Sequence, residues 1–85
     1  MDSCYICGRI AHHTHHVFQG VGRRKLSDIY GLTVRLCPEC HNNVHSHPRD
    51  YLWLKEEFQR KAMKENNWSI DQFIEKFGRS YIDAE

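Results

Sequence analysis

Two Cys-x-x-Cys pairs constrain this chain more than any other feature of its sequence. Cys4 and Cys7 form the first pair, Cys37 and Cys40 form the second, and 29 residues separate the two. Each pair can present two thiolates from one tight turn, so both pairs together can fill the tetrahedral shell of one zinc ion. Because four thiolates leave no open position for a substrate, we expect a structural zinc. The alternative is two disulfides or free thiols in the core.

The shortness of the chain makes such a cross-link valuable. Its 85 residues allow one small domain, and 40% of them are apolar. A hydrophobic core of this size rarely supplies more than roughly 3–5 kcal/mol of stability. Zinc binding contributes on the order of 10 kcal/mol to folding. We therefore expect folding to depend on the metal.

The composition also limits the compartment and the partners. No apolar run approaches the roughly 20 residues of a membrane span, and the amino terminus lacks the apolar stretch of a secretion signal. We expect a soluble, cytoplasmic protein without a membrane partner, in a reducing compartment where cysteines bind metals more often than they form disulfides. The net charge of +1 excludes a strongly basic nucleic-acid-binding protein, so any contact with nucleic acid must use local charge.

The chain divides into two parts of different character. Residues 1–48 contain all four cysteines and all seven histidines, and residues 49–85 have a helical pattern. In the first part, β-branched and alternating residues predict strands over 14–18 and 32–36. Between the strands we predict a turn at 19–22 and a polar loop up to Gly31. A short helix is predicted over 41–46, before Pro48.

The second part predicts two helices that pack on the first part, so that the whole chain forms one compact domain. An apolar stripe defines the first helix, and Asn66 and Asn67 end it. A capping box at Ser69 and Gln72 begins the second helix, and Gly78 follows its end. The apolar positions of the two helices are Tyr51, Leu54, Phe58, Ala62, Ile70, Phe73, Ile74 and Phe77.

Histidines supply a second set of candidate ligands. His41 and His45 are four residues apart, so a helix would project both from one face toward one ion. Upstream, neighbouring histidines on a strand would point to opposite faces, so that one can bind the ion while its neighbour reaches a water molecule. The remaining histidines, taken singly, fit a histidine-rich surface; they are His12, His13 and His47.

The order of these motifs resembles a known family. Cys4-x-x-Cys7, then His15-His16-Val17, then Leu36-Cys37-x-x-Cys40-His41-x-x-x-His45 is similar to the HNH endonucleases, particularly the small four-cysteine forms common in phage genomes. The resemblance covers about half of the chain. It implies an α+β fold, in which a zinc-stapled, treble-clef-like ββα-metal core over 1–48 carries a two-helix extension over 49–85.

The resemblance also implies roles for the histidines. His15 would bind a catalytic divalent metal together with His41 and His45, and His16 would be the general base. The implied reaction is hydrolysis of DNA phosphodiester bonds to give 5′-phosphate and 3′-hydroxyl ends. The catalytic metal would be Mg²⁺, Mn²⁺, Ni²⁺ or Zn²⁺, beside the structural Zn²⁺; all-imidazole ligation suits a transition metal better than magnesium. In an alternative register, His12 and His13 take the roles of ligand and base.

One residue departs from the family pattern. The middle asparagine of the signature has no counterpart, because Leu32 stands at about its position. The first alternative is therefore a weak or inactive HNH-like zinc module that binds DNA or a protein partner, for example as a phage inhibitor or assembly factor. The second alternative is a purely structural zinc-knuckle protein.

A basic run lies between the predicted strands. We expect Arg23, Arg24 and Lys25 to bind DNA phosphates, with low sequence specificity because no aromatic residues alternate with them. The alternative is a solvated charge run on the surface. Cutting both strands with one site per chain would require a homodimer or two sequential nicks.

Overall fold

The structure is a computed structural model, and it describes residues 2–20 and 22–82. Within these residues the protein is a small α+β chain with one two-stranded antiparallel sheet and four α-helices. The two strands and the helix that follows them form a ββα-like unit. The elements are β1 (His13–His16), α1 (Arg23–Ile29), β2 (Thr33–Leu36), α2 (Pro38–Ser46), a 3₁₀ turn (Pro48–Tyr51), α3 (Leu52–Asn66) and α4 (Ile70–Phe77).

The sheet brings the first cysteine pair next to β2. In the antiparallel register, His15 lies opposite Val34. The loop that carries Cys4 and Cys7 folds back on itself through a single bridge between Ser3 and Ile10. This loop is tied to β2 by backbone hydrogen bonds, in which the N–H of Tyr5 donates to the carbonyl of Arg35 (2.8 Å) and that of His12 to the carbonyl of Leu36 (3.1 Å).

Helix α1 replaces the predicted polar loop, so that prediction is wrong. Gly22 precedes the helix with a φ of 79°, a conformation that favours glycine. Ser27 then fixes the helix to the end of β1: its buried hydroxyl donates to the carbonyl of Phe18 (2.8 Å) and accepts from the N–H of the same residue (3.2 Å). Val21, in the predicted turn, lies outside the described residues.

Helix α2 is longer than predicted because it begins inside the second cysteine pair. Cys37 is its N-cap and accepts the N–H of Cys40 at Sγ (3.4 Å). Pro38 follows at the first helical position, where its missing N–H costs nothing. The helix ends at Ser46, before Pro48, as predicted. One cysteine and two histidines therefore lie within the helix, and the other cysteine of the pair is its N-cap.

The two C-terminal helices are confirmed, with their ends set by local signals. Asn67 ends α3 in the left-handed conformation, with a φ of 56°. Ser69 and Gln72 form the predicted capping box: the Gln72 N–H donates to Ser69 Oγ (3.2 Å) and the Ser69 N–H to Gln72 Oε1 (2.8 Å). Gly78 follows α4 with a φ of 90°.

Aromatic contacts hold α4 on the first part of the chain. The ring of Phe18, just after β1, lies 5.4 Å from that of Phe73 and 5.0 Å from that of Phe77, and all three are fully buried. Each such side chain removes 150–250 Å² of surface from water, as a rough value. Ile74, predicted on the apolar face, is 37% exposed. Among the described helices, none has both the length and the apolar character needed to cross a bilayer.

Candidate metal centre

The four cysteines come together as predicted. Their sulfur atoms all lie within 4.8 Å of one another, and Cys7 Sγ lies 3.7 Å from Cys37 Sγ. A tetrahedral zinc with Zn–S bonds of roughly 2.3 Å separates its sulfurs by about 3.8 Å, so the set has the right size. All four cysteines are free of disulfides. The cluster could hold a structural metal such as zinc.

The surroundings of the sulfurs favour a bound cation. Burial by itself raises the pKa of Cys4, but backbone N–H groups of Cys7, Cys37 and Ile6 donate to its sulfur, and the net effect lowers the pKa to about 6. Burial, with hydrogen bonds that the Cys40 thiol donates to the neighbouring sulfurs, raises the pKa of Cys40. The cluster therefore accepts one negative charge readily and resists more, and a metal ion supplies the charge that a full set of thiolates requires.

Three histidines form a second cluster beside the first. The ring nitrogens that His15, His41 and His45 can offer lie within 4.8 Å of one another, and Nε2 of His41 is 3.2 Å from Nε2 of His45. His15 comes from β1 and is 5% exposed, whereas the other two come from α2 and His45 is exposed. These three are the ligands that the sequence predicted for the second metal. Their separation suits one ion with an open side toward solvent.

The charge state of these imidazoles fits ligation. Burial lowers the pKa of His15 to about 4, and the neighbouring His41 and His45 act in the same direction. Burial, followed by His45 and His13, also lowers the pKa of His41. Near neutral pH both rings are therefore uncharged, which is the form that binds a metal.

His13 makes a contact that the sequence interpretation missed. Its Nδ1 lies 2.7 Å from Nδ1 of His41, on the opposite side of that ring from His45. When His41 offers Nε2 to a metal, its Nδ1 carries the proton and donates to His13. Residues two apart on a strand share a face, so the alternation of His13 and His15 was the signal. His12, the ligand of the alternative register, is exposed and outside the cluster.

His16, the predicted base, lies beside the cluster and has an acidic partner. Its Nε2 is 2.8 Å from Oδ1 of Asp28 on α1, and its side chain is 16% exposed. Asp28 was missed because it belongs to a segment that the sequence did not identify as a helix. The pair fixes the ring and leaves Nδ1 as the nitrogen with the lone pair, since the Nε2 proton faces the carboxylate.

The three residues of the basic run, Arg23, Arg24 and Lys25, have different surroundings. Arg24 lines a groove together with the histidines, and Lys25 is exposed. Arg23, predicted to bind DNA, instead packs within the protein: its Nε donates to the carbonyl of Phe77 at the end of α4 (2.5 Å). The groove is lined by Thr14, His15, His16, Gln19, Arg24, His41 and His45.

Leu32 occupies a core position. It is fully buried directly before β2, and its carbonyl accepts the N–H of Val17 (3.0 Å). Its side chain therefore packs and takes no part in the groove.

Comparison of the chain with protein-family models, with curated proteins and with solved structures finds no significant match.

Proposed function

We propose that this protein is a metal-dependent endonuclease of the HNH type that hydrolyses DNA phosphodiester bonds. The observation that carries the proposal is the His15, His41 and His45 cluster with the His16–Asp28 pair beside it. The closed four-sulfur site would be structural, and the separate, open three-histidine site, in which β1 supplies one ligand and α2 the other two, would be catalytic. Arg24 in the same groove adds a cation for the phosphate backbone.

The residues of the groove would act as follows. His15, His41 and His45 would hold a divalent ion, which when bound supplies positive charge next to the scissile phosphate. His16 Nδ1 takes the proton from the attacking water, because Nε2 is occupied by Asp28. Asp28 stabilises the imidazolium that results. His13 orients His41 through the Nδ1–Nδ1 contact.

One observation supports a second function, that of a weak or inactive HNH-like zinc module that binds DNA or a protein. Leu32, at about the position of the family's asparagine, is buried and cannot brace the groove. In the nuclease proposal Asp28 takes over part of that bracing, because it fixes His16 from the segment between the strands.

A plasmid-nicking assay separates the two functions. The parent protein is incubated with supercoiled plasmid and Mg²⁺, Mn²⁺, Ni²⁺ or Zn²⁺ in turn, beside His16→Ala and a matched control, His47→Ala. His47 is exposed and outside the cluster. We expect nicking by the parent and the control, and a rate about 10²–10⁴ lower for His16→Ala. DNA binding without cleavage in any metal would leave the binding module as the function.

A further inference from the structure

A cavity of about 120 Å³ lies on the side of the histidine cluster next to the start of α3. It shares His15, Gln19 and His45 with the groove described above. Its volume is several times the roughly 10–15 Å³ that one water molecule needs. The lining is otherwise apolar except for one cation: Val17, Val44, Pro48, Tyr51, Leu54 and Lys55.

Lys55 is an unusual residue for such a place. It is half-buried on α3, and no carboxylate within residues 2–20 and 22–82 lies at ion-pair distance from it. The charged groups that act on it are those of Arg79 and Arg23, which, after burial, lower the pKa of Lys55. Its charge also reaches His15, whose pKa it lowers. The cation is therefore close to the metal cluster.

Two of these cations, Lys55 and Arg79, contact the same aromatic ring. The Lys55 Nζ lies 5.2 Å from the centre of the Tyr81 ring, and the Arg79 Cζ lies 4.7 Å from the same centre. The buried Gln59 fixes Tyr81 by accepting its backbone N–H at Oε1 (2.6 Å). Like charges at a partly buried site repel each other unless an anion compensates them.

We propose that Lys55, with Arg79 beside it, binds a backbone phosphate of the DNA strand that occupies the groove. This inference rests on the proposed function for the identity of the polyanion. The start of α3 then forms one wall of the substrate site and supplies a phosphate contact on the far side of His15 and His45 from Arg24. The contact is electrostatic and adds affinity without sequence preference.

Binding of a short fluorescein-labelled DNA duplex, followed by anisotropy, tests the proposal. The His16→Ala protein serves as the reference, so that cleavage does not interfere. Lys55→Met keeps the length of the side chain and removes its charge, Lys55→Arg keeps the charge, and Lys64→Met is the matched control on an exposed face of the same helix. We expect about tenfold weaker binding for Lys55→Met, with a salt slope lower by about one. We expect near-parent binding for the other two.

Thermal unfolding of the same variants separates binding from a structural role. A residue retained for packing would lower the melting temperature when changed. Removal of a half-buried cation that has no ion-pair partner among residues 2–20 and 22–82 should leave the melting temperature of Lys55→Met unchanged or raise it. Weaker binding together with a lower melting temperature in Lys55→Met, with Lys55→Arg also weak, would overturn the proposal.

Three further outcomes keep this proposal distinct from the nuclease proposal. If the parent cuts no DNA but Lys55→Met weakens binding, the nuclease proposal fails and the phosphate site stands. If the parent cuts DNA and Lys55→Met binds and cuts equally well, the phosphate site alone fails. Inorganic phosphate is the second probe: if it binds at Lys55 as tightly as the duplex does, the site takes a small phosphate ligand and the DNA contact is overturned.

Discussion

His16 Nε2 lies 2.8 Å from Oδ1 of Asp28, so the predicted base is held by a carboxylate from the helix between the strands. The first prediction concerns this pair. Asp28→Ala should lower the cleavage rate about tenfold to a hundredfold, as part of the roughly 10²–10⁴ that general-base catalysis contributes. DNA binding should stay unchanged. Asp71→Ala, an exposed acid on α4, is the control; equal rates for both variants would remove Asp28 from the site.

The second prediction concerns the cysteine cluster. Cys37→Ser should unfold the chain or lower its free energy of unfolding by several kcal/mol, because it removes a thiolate ligand while serine still caps α2. Elemental analysis after mild chelation should give about one zinc per parent chain, the number that one four-thiolate site holds. A folded, zinc-free parent or a disulfide in reduced protein would contradict this prediction.

The third prediction is that His13, and not His12, supports binding of the second metal. His13→Ala should weaken the affinity for the second metal about tenfold, since groups that orient a ligand typically contribute 10–100-fold, as a rough range. Titration with Ni²⁺ or Co²⁺ after loading of the cysteine site measures that affinity. His12→Ala should bind the metal like the parent. If His12→Ala is the defective variant, the alternative register of the histidines is correct.

The fourth prediction divides the basic run. Arg23→Ala should lower the free energy of unfolding by about 1.5–3 kcal/mol, because a hydrogen bond from a charged group to the Phe77 carbonyl is lost. Arg24→Ala should leave stability unchanged and weaken DNA binding instead. Chemical denaturation and anisotropy on both variants provide the comparison. The reverse pattern, a stable Arg23→Ala that binds DNA weakly, would return Arg23 to the interface.

The fifth prediction is a pH dependence. The Tyr5 hydroxyl donates to Glu57 Oε2 (2.6 Å), and this bond, with burial, raises the pKa of Tyr5 to about 12. The unfolded chain loses the proton nearer the ordinary value of 10.0, so the stabilisation is present below pH 10 and is lost as the pH rises toward 12. Absorbance titration of tyrosinate should show a late component that disappears in Tyr5→Phe and persists in Tyr30→Phe.

Local signals made α4 predictable, and their absence concealed α1. Ser69, Gln72 and Gly78 mark both ends of α4 within the sequence itself. Helix α1 is short and is held by contacts with residues outside it, of Ser27 with Phe18 and of Arg23 with Phe77. Such contacts leave no periodic pattern of apolar residues in the sequence.

The residues of the candidate site also differ in whether the sequence could predict them. The positions of the four cysteines, His41 and His45 could be predicted from their spacing. Each cysteine pair lies on one tight turn, and both histidines lie on one helix. Asp28 and Lys55 could not be predicted, because each reaches the histidines only through the packing of another element. Their positions depend on the folded chain as a whole.

Helix α2 links the two clusters in a way that sets an order of assembly. Cys37 and Cys40 lie at its start, and His41 and His45 follow on its next turns. Until the sulfur cluster is filled, this first turn lacks its metal cross-link to the first cysteine pair, and the helix that spaces the two imidazoles is less stable. We therefore expect the protein to mature in sequence, with the sulfur cluster loaded first. A chelator strong enough to empty that cluster would then abolish both centres. A weaker chelator would remove the metal from the histidine cluster only.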